Sequence, residues 1–202
     1  MSRFGLFALW LLANVLGALA MGAQMCRSGD SWLLAGVIFG VPQALALRGF
    51  RWAPWGWAPV AAIVTPPSMY VSAISGASLL QATQHSDLSR ILDARLTDWA
   101  AIVLGATPGW FVVAISQALL VWIAGERRAW LLVPAVLVGG VGLDPMGFAS
   151  MVGSRELVPG ASGCAALQIT GGLLGCALAG AFYGAVTGAA LQHLRNTSVA
   201  RT

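Results

Sequence analysis

Trp99–Ala124 reads WAAIVLGATPGWFVVAISQALLVWIA, with no charged side chain until Glu126-Arg127-Arg128 close it. A helix needs about 20 apolar residues to cross a hydrocarbon core roughly 30 Å thick, so this stretch is long enough to span a bilayer. Its apolar residues run continuously, which disfavours a transmembrane β-barrel, whose strands alternate apolar and polar positions. The rest of the chain agrees. Its 202 residues are 58% hydrophobic and 9% charged, whereas soluble domains are about 45–50% apolar and about 25% charged. Mean hydropathy is +0.79. Such a chain lacks the polar side chains to cover a water-facing surface, so it reads as an all-α integral membrane protein with a single transmembrane domain over 1–202.

Five further apolar runs accompany the first. They cover Phe4 to Met25, Trp32 to Leu47, Trp52 to Thr65, Trp130 to Gly142 and Ala165 to Leu194. Pro66-Pro67 is expected to end the third, because proline lacks an N–H and clashes with the carbonyl one turn back. Arg3, an apolar stretch and Ala18-Leu19-Ala20 imitate a cleavable leader; the first run is nevertheless expected to stay as a helix. The reading is therefore six transmembrane helices. Leu88, Ile91, Leu92 and Leu96 recur at helical spacing opposite Asp87, Arg90, Asp93 and Asp98. That pattern predicts a short outer amphipathic helix over 82–98, lying on the membrane or docking a partner protein.

Charge sets the expected orientation. All 11 basic residues are Arg, a usage that fits a GC-rich bacterial genome. Arg3, Arg48, Arg51, Arg127, Arg128, Arg195 and Arg201 fall at one end of the spans with a single acid, Glu126. Arg27, Arg90, Arg95 and Arg155 share the other end with Asp30, Asp87, Asp93, Asp98, Asp144 and Glu156. Arginine excess marks the cytoplasmic side, so both termini are expected in the cytoplasm. Trp52, Trp55, Trp57, Trp122 and Trp130 at the inner boundary, with Trp32 and Trp99 at the outer one, read as interfacial belts. Trp10 and Trp110 lie deeper and read as packing residues. The arginines stand singly or in pairs, without a basic stripe, so nucleic acid is not an expected partner. The expected partners are the lipid bilayer and other membrane protein subunits.

Gln43, Gln117 and Gln192 stand 74 and 75 residues apart, each near the end of an even-numbered run. The spacing predicts three hairpins of common ancestry, about 1–48, 49–125 and 126–202. Gln43-Ala44-Leu45-Ala46-Leu47-Arg48 after a Gly-rich helix, with Trp10, Asn14 and Gly17 on the first helix, resembles small bacterial polytopic membrane proteins of unknown function. Their repeated hairpin ends its even helices in Gln, usually Trp, a few aliphatics and Leu-Arg. Where that family usually has Trp, this chain has Ala44, Ala118 and His193. The resemblance implies a fold of repeated hairpins and no activity.

Few residues suggest chemistry. Charged side chains near the middle of a span normally mark function, and none of the six runs has one. Gly160-Ala161-Ser162-Gly163 with His193 matches the motif of rhomboid proteases. Here, however, the intervening helix would hold Ser162 and His193 about 45 Å apart at 1.5 Å per residue. No catalytic residue, metal site or cofactor is identifiable, although lipid or an apolar pigment can be held by contact alone. Gly171, Gly175, Gly180, Gly184 and Gly188 form a stripe that lets another helix backbone come close. That helix belongs to the same chain or to another subunit. Cys26 and Cys164 fall in outer loops, where an oxidising compartment permits a disulfide. Asn14, Gln43, Gln117 and Gln168 would line any polar path. With no polar apparatus for catalysis, the expected function is a non-catalytic accessory subunit of a bacterial membrane complex, photosynthetic or respiratory. A small-solute channel or transporter is the alternative.

Overall fold

The computed structural model describes residues 3–27, 32–49, 54–84, 94–142 and 171–199. Among these there is no strand. The helices are α1 (Arg3–Arg27), α2 (Trp32–Ala46), α3 (Pro54–Gln84), α4 (Ala94–Ile123), α5 (Ala129–Gly142, opening on a 3₁₀ turn) and α6 (Gly171–Val199). A second 3₁₀ turn, Leu47–Gly49, follows α2.

Among the described residues, four helices are long and apolar enough to cross a membrane, through Phe4–Met21, Gly56–Leu79, Val103–Ile123 and Leu174–Asn196. The other two are shorter. The 15 residues of α2 rise about 22 Å at 1.5 Å each, less than the roughly 30 Å of a hydrocarbon core. Length and composition thus support four spanning helices.

The third helix corrects one expectation: it runs on to Gln84, straight through Pro66 and Pro67. Membrane helices tolerate proline where hydroxyls and neighbouring helices take up backbone groups. Both aids are present. Ser68 Oγ donates to the Val64 carbonyl at 2.7 Å, and Ser72 Oγ donates to the Ala106 carbonyl of α4 at 3.0 Å. Gly105 and Gly109 of α4 leave no room for a side chain against Gly76 and Ser68. The extensive pairing of α3 with α4 holds the proline region in place. The amphipathic helix expected over 82–98 is also revised. Residues 82–84 complete α3 and 94–98 begin α4, so Leu96 and Asp98 belong to a long helix. Leu88, Ile91 and Leu92 lie outside the described residues.

Two clusters of buried side chains join the helices. One gathers Leu6 and Trp10 of α1, Ala46 and Leu47, Trp57 of α3, Val121 of α4, Leu132 of α5 and Leu194 of α6. The other gathers Ala18, Phe39, Val113, Val136, Ala179 and Tyr183. Large apolar side chains point the other way: Phe4, Ile63, Leu104 and Ile123 are all at least 60% exposed. Apolar surface turned outward is what a lipid-facing bundle presents, since helix association in lipid depends on close packing and not on hiding hydrocarbon.

Close packing here is made by small residues. α2 meets α3 where Gly36 and Gly40 face Ala58, Ala61 and Ala62, and a Cβ on Gly40 would stand 2.6 Å from the Ala61 Cβ. α6 meets α1 through Gly180, Gly184 and Gly188, against Asn14, Ala18, Leu11, Trp10 and Phe7. The partner of that part of the stripe is a helix of the same chain. Gly175 is half-buried farther up, and Gly171 is the first residue of α6.

Candidate functional site: a polar hub between the helices

The polar side chains in the bundle are tied to one another. On α1, Trp10 and Asn14 lie one turn apart and share a face, and Asn14 Nδ2 donates to the Trp10 carbonyl at 2.8 Å. Gln43 of α2 reaches this face from the side, its Nε2 donating to Asn14 Oδ1 at 2.7 Å. Trp57 of α3 completes the first chain, donating through Nε1 to Gln43 Oε1 at 2.9 Å. Three helices are thereby linked through one carboxamide.

A second chain runs through α6. Trp10 Nε1 donates to Thr187 Oγ1 at 2.9 Å, and that hydroxyl donates in turn to the Tyr183 carbonyl at 2.7 Å. The Tyr183 side chain is hydrogen-bonded to Gln117 of α4. Aromatic contacts brace both chains: Trp10 meets Trp57 edge-on at 5.9 Å, and Trp110 lies against Tyr183 at 5.6 Å. Among the described residues no buried side-chain nitrogen or oxygen lacks a partner. In hydrocarbon each orphan would cost several kcal/mol, so closure is a condition of stability.

The two chains face a cavity of about 20 Å³. Gln43, Thr65, Gln117 and Tyr183 supply its polar wall; Phe39 and Trp110 belong to the apolar one. A volume of ~10–15 Å³ admits one water, which also needs two to four polar partners. The space has room for one water-sized molecule.

Of the residues expected along a polar path, Asn14 and Gln43 are bonded, and Gln43 and Gln117 share the cavity wall. Gln168 lies outside the described residues. So does Cys164, as well as the Cys26 side chain, so the expected disulfide falls outside them too; Cys176 is a free thiol. Ser162 lies outside the described residues, and His193 is exposed on α6. No group of three or more His, Cys, Asp or Glu among the described residues is placed to hold a metal ion.

Trp57 corrects a further expectation. It is not a belt residue but a buried one, 2% exposed, because Gln43 offers its indole N–H a partner inside the bundle. Trp122 and Trp130 are half exposed. Sequence reasoning also passed over Tyr183 and Thr187. Thr187 lies three residues after Gly184, on the same helix face, a spacing that could have placed it at the α1 contact; Tyr183 packs instead against Trp110 and Gly139. No family model, curated protein or solved structure matches this chain.

Proposed function

We propose that this chain is a non-catalytic structural subunit of a larger assembly in a bacterial cytoplasmic membrane, of photosynthetic or respiratory type. The observation that carries the reading is the closure of the polar hub: the buried Asn, Gln, Thr, Tyr and Trp groups are engaged with one another. Side chains committed to tying helices together are not free to bind and release a substrate. The subunit's task is to occupy a place between other helices and fix their spacing, with lipid or apolar pigment held by contact. Gentle purification from the source membrane is expected to return the chain with stoichiometric partner subunits. If it runs alone, the subunit reading is wrong.

The cavity beside Gln43 and Gln117 favours a second reading, a channel or transporter for a small neutral solute. Solute flux in liposomes containing the purified chain alone tests it. Flux that Gln117→Leu abolishes would establish that reading in place of the first.

The same proposal includes three hairpins of one ancestry, six spans and both termini in the cytoplasm. It draws on the spacing of Gln43, Gln117 and Gln192 and on the arginine excess at their end. Reporter fusions at Phe50 and Asp93, on either side of α3, should report opposite compartments, with Phe50 inside. The same compartment for both would mean that α3 does not cross the membrane.

A further inference from the structure

The turn between α4 and α5 separates opposite charges that the sequence places side by side. α4 is capped by Gly125, whose φ of +103° only glycine adopts without strain. The Gly125 N–H donates to the Trp122 carbonyl at 2.9 Å and the Glu126 N–H to the Val121 carbonyl at 3.1 Å. This paired pattern is a Schellman cap, and it reverses the chain sharply. The reversal turns Glu126 inward, where it is 8% exposed. There its Oε1 accepts the Arg128 backbone N–H at 3.1 Å, and its carbonyl accepts the Ala129 N–H at 3.0 Å. Arg127 and Arg128 are left exposed on the rim. Trp122 and Trp130, each about half exposed, flank them in the chain, next to exposed Ile123 and Leu131. Arg48 is exposed at the same end, immediately after Leu47 of the shared core cluster.

We propose that this rim is a binding site for the headgroup of an anionic phospholipid. Guanidinium groups present forked donors that match phosphate oxygens two at a time. Indole rings settle at the depth of the headgroups, and Ile123 and Leu131 offer hydrocarbon to the acyl chains just below. The withdrawn carboxylate is the decisive element. Were Glu126 on the rim, it would neutralise one arginine and repel the phosphate; held inside, it braces the turn. The site requires a net negative lipid, because a zwitterionic headgroup brings a cation to the same rim. It is independent of which assembly the chain joins.

The test uses the full-length chain in neutral detergent micelles, with native mass spectrometry reading retained lipid and thermal denaturation reading stability. Phosphatidylglycerol should be retained and should raise the unfolding midpoint; phosphatidylcholine should do neither. An arginine near an anionic surface contributes about 1 kcal/mol, about fivefold in affinity, so Arg127→Gln with Arg128→Gln should weaken phosphatidylglycerol binding about thirtyfold. Both side chains are exposed, so the midpoint without phosphatidylglycerol should not move. If the double variant fails to fold, Arg127→Gln alone, about fivefold weaker, takes its place. Equal retention of phosphatidylcholine overturns the site, and so does wild-type affinity in the Gln variants. An equal effect from free inorganic phosphate would assign the rim to a soluble anion and overturn the lipid site.

Discussion

Gly180→Leu should be the most damaging single change at the contact of α1 with α6, costing about 3 kcal/mol or more and separating the two helices. Overpacking a tight contact usually costs about 1–3 kcal/mol, and more where the obstacle cannot give way. Here the obstacle is backbone. Even a Cβ at 180 would stand 2.5 Å from the Asn14 carbonyl oxygen and 2.7 Å from the Ala18 Cβ. Gly184 is looser, with its nearest neighbours at 3.1 to 3.3 Å. The expected order of damage follows: Gly180→Ala loses more stability than Gly184→Ala, and Gly184→Leu also loosens the bundle by pushing Leu11 outward. Denaturation in detergent micelles reads all four variants. Equal losses at 180 and 184 for alanine would mean that the two helices do not meet at this register.

Gln43→Leu should cost about 2–3 kcal/mol, the largest loss from removing a single polar group. The substitution leaves two partners behind, the Asn14 Oδ1 acceptor and the Trp57 Nε1 donor. An orphaned buried group costs about 1–3 kcal/mol in proteins generally. Interhelical hydrogen bonds in membranes average about 0.6 kcal/mol, with a maximum of about 1.7. The membrane figure governs each bond, and the two orphans add to it. A double-mutant cycle joining Gln43→Leu with Asn14→Ala separates these contributions, and a coupling of about 0.6–1.7 kcal/mol is expected. A coupling of zero would show that the carboxamides do not hold α1 to α2.

Helical class and membrane character were legible because hydrophobicity is a local property, summed over about 20 residues without knowledge of neighbours. The glycine stripe was legible in the same way, as spacing along one helix. What escaped was everything that depends on a second helix. Pro66-Pro67 reads as a stop until Ser68, Ser72 and α4 are in place to hold the backbone on either side. Trp57 reads as an interfacial ring until Gln43 gives its N–H a buried acceptor. The candidate site was half visible: Asn14, Gln43 and Gln117 stood out as polar residues in apolar runs. Tyr183, Thr187 and the indoles did not, because aromatic and hydroxyl groups in membrane helices serve equally at interfaces and in cores.

The bond from Trp10 to Thr187 joins residues 177 positions apart, and that distance has a consequence for biogenesis. The ribosome delivers α1 first and α6 last. Throughout synthesis the Trp10 indole has no lasting partner, and the Asn14 Oδ1 must wait for Gln43 of α2. A helix carrying Asn and Trp donors into lipid finds provisional partners there, such as water at the interface, headgroups or the insertion machinery. The bond from Trp10 to Thr187 forms only after the final helix arrives and displaces them. Closure of the hub through α6 is therefore a late event, and a nascent chain that stops before α6 leaves the Trp10 indole unclaimed.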